Sequence, residues 1–237
     1  MENELKKQVK EKRKERKLVI AIVIAIIVFI VLGIICIVYV RNNDNSILRK
    51  KQEPQELKPI IYLYPEQEEK VQVKLGNPQY ISCIYPKYEG SWNVIAKPDG
   101  TLIDEKTGKN YYALYWEGEG MPKNTDKTEG FCIKGEDIVD FLEEKLKILG
   151  LNDREAEEFI IYWLPKMQNN AYNYIRFETM EEQNKAMPLE ITPKPDSIIR
   201  IMMDWKGLEN PIQVKEQVLK TPERKGFVAV EWGGSEL

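Results

Sequence analysis

The chain has 237 residues, with 35 Lys and Arg, 38 Asp and Glu, and no histidine. Without histidine it can form neither a Ser-His-Asp or Cys-His catalytic set nor a zinc site that relies on imidazole. The sequence also lacks the patterns of a glycine-rich phosphate loop and of a calcium-binding loop. It therefore predicts no cofactor and no metal, and carboxylate chemistry is the catalytic class that remains.

Residues 18–40 form an apolar run of 23 residues without a charge. A helix of this length is about 34 Å long, enough to cross the ~30 Å hydrocarbon core of a bilayer. Eight Lys and Arg residues precede the run in residues 1–17, and such residues favour the cytoplasmic side of a spanning helix. We expect an uncleaved, single-pass signal anchor with a cytoplasmic amino terminus and an extracytoplasmic remainder.

The segments beyond the predicted span differ in composition. Residues 41–58 are polar and are expected to form a flexible linker, whereas residues 59–237 are rich in Tyr, Trp, Ile and Val and have the size of one domain. Residues 1–40 hold eight of the basic and four of the acidic residues, so the remainder carries a formal net charge of −7. This acidic balance argues against nucleic acid or anionic lipid as the main partner and favours a cationic, neutral or protein ligand.

The first half of the outer domain has the pattern of β-strands. The predicted strands are residues 60–64, 71–75, 80–85, 92–97, 101–104 and 111–117. Asp99-Gly100 between two of them is typical of a two-residue hairpin turn with positive φ angles. We therefore expect an antiparallel meander in this half.

The middle of the domain is predicted to be helical. Residues 136–149 carry an apolar stripe that stops at Gly150, and a second helix is expected to begin at the cap Asn152, with Glu155 three residues on, and to end at Pro165. Further strands are expected at residues 172–178, 189–191, 198–205 and 227–232. This order predicts an α+β fold, a mainly antiparallel sheet or sandwich packed against a short helical pair, preceded by one transmembrane helix.

Several phrases occur in order along the outer domain. They are KPIIYLYP (58–65), LYWEG (114–118), EFIIYWLP (158–165), ITPKPD (191–196), ERKGF (223–227) and VEWGG (230–234). With these phrases the domain resembles a family of uncharacterised proteins from Gram-positive, often anaerobic, bacteria. The resemblance supports the domain boundary and implies no established activity.

The candidate catalytic residues are Glu117, Glu119 and Glu231. If the strands that carry them were neighbours, their carboxylates would line a groove with the indoles of Trp116 and Trp232, as in sites that handle sugars. The alternation of side chains along a strand favours the opposite interpretation, in which both tryptophans are core and Glu117 and Glu231 lie on solvated faces. Both interpretations remain open from the sequence.

Other side chains are candidates for ligand binding. Arg176, a cation within an apolar strand, is suited to a carboxylate ligand or to an ion pair with Glu178 or Asp204. A stacking surface or a set of core and rim residues is expected from Tyr62, Tyr64, Tyr111, Tyr112 and Tyr115. Cys83 and Cys132 are either a disulfide pair or two separately buried thiols on strands.

Three functions are compatible with these patterns. The leading hypothesis is a membrane-anchored extracytoplasmic module that binds an envelope glycan or an envelope protein without catalysis. The first alternative is an acid-base hydrolase that acts on envelope glycans through Glu117 or Glu119 with Glu231. The second alternative is a membrane sensor whose basic tail, residues 1–17, contacts a cytoplasmic regulator.

Overall fold

The structure, a computed structural model, describes residues 30–36, 39, 58–122, 126 and 128–237. Residue contacts divide the chain into two units, Met1–Glu53 and Pro54–Leu237. In the first unit, residues 30–36 and 39 are helical and exposed. No helix within the described residues has the length and apolar character needed to cross a membrane. The basic tail, most of the predicted span at 18–40 and nearly all of the linker lie outside these residues.

The second unit contains β-strands and helices in the alternating blocks that the sequence predicts. The strands are β1 (Ile60–Tyr64), β2 (Glu69–Leu75), β3 (Ile81–Tyr85), β4 (Trp92–Ala96), β5 (Leu102–Asp104), β6 (Asn110–Tyr111), β7 (Leu114–Gly118), β8 (Glu129–Lys134), β9 (Tyr172–Phe177), β10 (Leu189–Thr192), β11 (Ser197–Leu208), β12 (Lys215–Glu216) and β13 (Val228–Glu236). The helices are α1 (Ile138–Ile148), α2 (Asp153–Met167) and α3 (Met180–Ala186), with 3₁₀ turns at Pro78–Tyr80 and Gly135–Asp137.

The strands form two sheets. The larger sheet has eight strands in the order β12-β8-β9-β11-β13-β1-β7-β3, and the smaller has five in the order β10-β2-β4-β5-β6. The smaller sheet is antiparallel throughout, whereas the larger is mixed because the pairs β11–β13 and β8–β12 are parallel. The predicted α+β class is confirmed, and the parallel pairs are an addition to the expected antiparallel pattern.

Two hydrophobic cores cover the two faces of the larger sheet. Ile60 and Tyr62 of β1 pack in the core that contains the residues of α1 and α2, and Ile61 and Leu63 pack in the core shared with the smaller sheet. Because both faces of β1 are covered, the strand is apolar at successive positions instead of alternating. The helical pair therefore packs against one face of a central sheet, and the smaller sheet packs against the other.

The predicted hairpin is present, but its turn differs from the expected type. β4 and β5 pair antiparallel, and the backbone N–H of Lys97 donates to the carbonyl of Thr101 at 2.9 Å. Gly100 has a φ of +86°, and no described non-glycine residue, Asp99 included, has a positive φ. The connection is thus a longer loop with a single left-handed glycine rather than a two-residue turn.

The single strand expected at residues 111–117 is in fact two strands. Tyr111 ends β6 in the smaller sheet, and Leu114 begins β7 in the larger sheet. The chain therefore changes sheet between these residues, and the expected meander is interrupted there. This crossing brings the edges of both sheets to the same part of the surface.

The helix α2 begins as predicted and ends later. Asn152 Oδ1 accepts from the Glu155 N–H at 2.9 Å and Glu155 Oε2 accepts from the Asn152 N–H at 2.8 Å, which confirms the capping box. Pro165 does not end the helix, which continues to Met167. In the last turn a proline costs one hydrogen bond to the carbonyl of Ile161, and that residue is exposed, so water can satisfy the carbonyl.

Candidate functional site

Glu231 lies in a buried ion pair. It stands beside Arg200 at the same register position of the parallel strands β11 and β13. Arg200 Nε donates to Glu231 Oε2 at 2.6 Å, and Trp116 Nε1 donates to Glu231 Oε1 at 2.9 Å. Because Glu231 is only 1% exposed and both oxygens accept strong hydrogen bonds, its carboxylate is engaged in structure and does not face a solvent cleft.

The rest of the Arg200 guanidinium binds the segment around α3. Nη1 donates to Asn184 Oδ1 at 2.8 Å, and Nη2 donates to the Met187 carbonyl at 3.0 Å. Gln183 Nε2 in turn donates to the Arg200 carbonyl at 3.2 Å. These bonds hold the short helix α3 against the face of the sheet on which the side chains of Arg200 and Glu231 lie. This helix was not predicted from the sequence, although Thr179 and Glu182 form a capping box at its start.

Arg176 is also held within the protein. Its Nη2 lies 2.8 Å from each carboxylate oxygen of Glu182, and its Nη1 lies 4.0 Å from Asp204 Oδ2. Asp204 faces it across the β9–β11 pair and accepts from the Ser235 hydroxyl at 2.8 Å. The ion pair with Asp204, one of the two expected alternatives, is therefore present, and Glu182 is an additional partner.

The three candidate carboxylates do not come together. β7 and β13 are not neighbours, because β1 lies between them. Glu117 follows Trp116 on β7, so its side chain lies on the opposite face of the sheet from Glu231, the hydrogen-bond partner of Trp116. Glu117 accepts a hydrogen bond from the Tyr115 hydroxyl, and Glu119 is exposed beyond the strand end. The groove of carboxylates, one of the two interpretations that the sequence left open, is not formed by these three residues.

Both candidate tryptophans belong to the core, in agreement with the alternation of the strands. Trp116 packs in the core between the two sheets, and Trp232 packs in the core beneath the helices. The ring of Trp232 makes an edge-to-face contact with Phe159 at 5.3 Å between centroids. Neither indole is available to stack on a ligand.

The possible Cys83–Cys132 disulfide is not formed, and both thiols are free. β3 and β8 lie near opposite ends of the larger sheet, six strands apart, which corresponds to roughly 25–30 Å at the usual strand spacing. A disulfide requires α-carbons within about 7 Å. Cys83 is exposed and Cys132 partly exposed, so the expectation of two buried thiols is also wrong.

An open groove lies where the edges of the two sheets meet. Its wall includes two lysines and four tyrosines, namely Lys58, Lys109, Tyr85, Tyr111, Tyr112 and Tyr115, and its volume is about 840 Å³. Tyr85 on the edge strand β3 is 60% exposed, and Tyr112 is 53% exposed. Large exposed aromatic side chains grouped in a concavity mark interaction sites. We call this feature the tyrosine groove.

The rings of the tyrosine groove are held by contacts with their neighbours. Tyr85 and Tyr111 meet edge to face at 5.6 Å between centroids, which joins the edges of the two sheets. Tyr112 lies 6.4 Å from the ring of Tyr62, and the Arg154 guanidinium lies 5.1 Å from its ring centroid. The groove is therefore built on strands and on helix α2, which limits the movement of its rings.

The predicted stacking candidates Tyr62 and Tyr64 support the tyrosine groove and do not line it. Tyr62 is buried, and its hydroxyl donates to Glu158 Oε2 at 2.6 Å. Tyr64 is half-buried, with the Arg224 guanidinium 5.5 Å from its ring centroid.

Burial raises the pKa of the Tyr62 and Tyr64 phenols above their usual value near 10, and Glu158 and Glu155 raise them further. Burial likewise raises the pKa of Tyr115, whose hydroxyl binds Glu117.

These phenols predict a loss of stability at alkaline pH. A folded-state pKa above the unfolded value contributes stability that is fully present below pH 10 and is lost as the pH rises toward the folded pKa. We expect the free energy of unfolding to fall above pH 10, and Tyr62→Phe to reduce that slope. Denaturant unfolding of the parent chain and of the variant between pH 8 and 11.5 measures the free energy of unfolding, and the tyrosinate absorbance at 295 nm follows the ionisation of the tyrosines. Ionisation of all tyrosines near pH 10 with the fold intact would contradict it.

Only some of the residues that line the tyrosine groove were predicted from the sequence. Tyr111, Tyr112 and Tyr115 were among the predicted stacking residues, whereas Tyr85, Lys58 and Lys109 were not. Tyr85 ends a strand and precedes a proline, Lys58 lies just before β1, and Lys109 lies just before β6. No local pattern signals that the topology brings these three positions to one groove.

The comparisons with known proteins give one informative match. No family model and no solved structure match the chain. A protein of Butyrivibrio fibrisolvens, described as an uncharacterized protein in the bglA 3′ region, is 35% identical to the chain over 71 residues, which cover 29% of this chain and 72% of the relative. Its source is a Gram-positive bacterium, as the resemblance of the sequence implies. The chain therefore belongs to the family of this uncharacterized protein of Butyrivibrio fibrisolvens.

Proposed function

We propose that residues 58–237 form an extracytoplasmic module that binds an envelope glycan in the tyrosine groove without covalent chemistry, and that the apolar run at residues 18–40 anchors it to the cell membrane. The tyrosine groove is the observation that carries this proposal. Its two exposed rings, Tyr85 and Tyr112, present apolar faces, and their phenols add polar tips. The C–H face of a sugar ring can cover such a surface while its hydroxyls bind polar groups at the edge.

The shape of the groove favours a segment of a polymer over a small metabolite. Pockets for small ligands enclose about 300–1,000 Å³ and bury most of the ligand. The tyrosine groove has a volume within this range, but it is open to solvent, so a ligand longer than a single sugar can extend out of it. Asn110 at its wall offers an amide donor and acceptor for hydroxyl groups.

The carboxylates around the groove favour binding over hydrolysis. A glycoside hydrolase needs two carboxyl groups that face each other across the scissile bond, about 5–10 Å apart. Glu117 accepts from Tyr115, and Glu158 accepts from Tyr62 and from Arg154 Nε at 3.1 Å. Both groups are engaged by protein donors, and Glu231 lies on the other face of the sheet. The acid and base of the hydrolase alternative, Glu117 or Glu119 with Glu231, therefore do not face each other.

Retention on insoluble cell-wall glycan tests the proposal. We expect the full chain in detergent to be retained by purified wall polysaccharide, and the variant Tyr85→Ala/Tyr112→Ala to bind at least about tenfold more weakly, since burial of the apolar face of each exposed ring contributes about 1 kcal/mol or more. The matched control is Tyr172→Ala on β9, outside the groove, which should bind like the parent chain.

The outcomes separate the alternatives. Equal retention of the parent chain and the double variant would overturn the assignment of the groove. Release of soluble saccharide in proportion to protein concentration would support the hydrolase instead. A circular dichroism spectrum and an unfolding midpoint for each variant show whether a loss of retention reflects the groove or the fold.

A further inference from the structure

We infer that the tyrosine groove is specific for an anionic saccharide, whose acidic group is bound by Lys58 and Lys109. This inference rests on the proposed function of the groove and adds the chemical class of its ligand. The shared chemistry is a sugar ring beside a carboxylate or a phosphodiester.

The charge of the groove is opposite to that of the domain around it. Residues 41–237 have a formal net charge of −7, but the described wall of the groove contains Lys58 and Lys109 and no Asp or Glu. A concave site lined by one sign of charge raises the local concentration of ligands of the opposite sign. A neutral glycan would gain nothing from this arrangement.

Neither ammonium group forms an ion pair with a described residue of the protein. Within the described part of the chain, no carboxylate lies within 4 Å of either group. Lys106, three residues before Lys109, shows the contrast, because its Nζ lies 3.1 and 2.8 Å from the two oxygens of Glu89. Lys87 is also paired with Glu89, at 2.7 Å. The lysines of the groove are thus available to a ligand, while the nearby lysines outside it are paired.

Lys58 is positioned by an aromatic ring rather than by an acid. Its Nζ lies 3.9 Å from the ring centroid of Tyr162, a distance typical of a cation–π contact. Burial lowers the pKa of Lys58, while Glu117 and Glu158 act in the opposite direction from a longer range. A cation that has already lost part of its water binds an anion more strongly than a fully solvated one. Lys109 is exposed and extends the positive charge along the groove.

Defined oligosaccharides test the inference. The probes, each bound to the full chain in detergent, are a uronic acid oligomer, a poly(glycerol phosphate) oligomer and a neutral glucan oligomer of similar length. We expect at least one anionic probe to bind at least tenfold more tightly than the glucan at 50 mM NaCl, with a preference that shrinks at 300 mM NaCl. The stronger anionic probe identifies the carboxylate or the phosphodiester as the source.

Lysine variants provide the matched control. Lys58→Gln/Lys109→Gln should bring the affinity for the anionic probes to within about twofold of the glucan and leave glucan binding unchanged. Lys87→Gln/Lys106→Gln removes the same charge outside the groove and should retain the full preference. Unfolding midpoints of both variants verify that the fold is intact.

Failure of this inference and failure of the proposed glycan-binding function give different results. Equal binding of neutral and anionic probes, or a preference that survives Lys58→Gln/Lys109→Gln, would overturn this inference and leave the glycan-binding function in place. Absence of binding to every probe and to wall polysaccharide would overturn both. A preference lost equally in the two double variants would show long-range net charge rather than binding by the two lysines, which also overturns the inference.

Discussion

Replacement of Glu231 by alanine is expected to destabilise the domain by about 3–5 kcal/mol, because it leaves a buried charge without its partner. The Arg200 side chain is 2% exposed, and its guanidinium donates the Nε–H to Glu231. The same substitution removes the acceptor of the Trp116 indole N–H. Equilibrium unfolding in urea, followed by tryptophan fluorescence, measures the change.

Two comparisons make the result specific to the buried pair. Glu119→Ala removes an exposed carboxylate and should change stability by no more than about 0.5 kcal/mol. The double variant Arg200→Met/Glu231→Leu removes both charges together and should recover much of the loss, since replacement of a buried ion pair by apolar residues is often neutral or better. A loss below about 1 kcal/mol for Glu231→Ala would show that the pair is exposed to solvent.

Trp232→Ala is expected to cost about 3–5 kcal/mol, the usual cost of removing a large aromatic side chain from a core. Trp232 is buried between β13 and the helices, in edge-to-face contact with Phe159. Trp232→Phe keeps a ring in the same space and should cost clearly less. Denaturant unfolding of the two variants measures the difference.

The Trp232 result separates a core residue from a ligand-binding one. Ile161→Ala, at a position of α2 that is 65% exposed, is the control and should change stability by no more than about 0.5 kcal/mol. If Trp232→Ala kept full stability and lost only glycan binding, the indole would belong to a binding site, and its place in the core would be contradicted.

Much of the fold could be predicted from local patterns, for identifiable reasons. The Asn152 capping box and the stripe of α2 are properties of neighbouring residues, and so is the alternation in β2 and β4. The division of residues 111–117 between two sheets depends on contacts with distant strands. The parallel pairing of β11 with β13 depends on them too, and no periodicity within either strand indicates the direction of its neighbour.

The burial of Glu231 shows the limit of alternation as a guide. Alternation correctly placed Trp232 in the core and Glu231 on the other face, but it implied that the other face was solvated. In a central sheet covered on both sides, both faces are interior. A charged residue there needs a partner, and Arg200 supplies it from a strand about 30 residues earlier. Only the register of β11 and β13 shows that the two residues are adjacent.

The residues of the tyrosine groove could be predicted only in part. Tyrosines on strands were recognised as either a stacking surface or core, and the structure divides them between the two. Tyr62 lies in the core, whereas Tyr112 lies at the surface. The irregular segment between β6 and β7 that carries Tyr112 was expected to be strand, so the exposure of its side chain could not follow from the pattern.

The position of β13 in the larger sheet has a consequence for how the protein is made. β13 pairs with β1 and with β11. The first strand of the folded unit therefore cannot complete its pairing until β13, which lies more than 160 residues later in the chain, has been synthesised. Closing so long a loop is slow, and until residues 228–236 have been synthesised the flanking strands keep open, adhesive edges. A nascent polypeptide truncated before this point would be a ready substrate for proteases and for aggregation, so quality control can discard it before it accumulates.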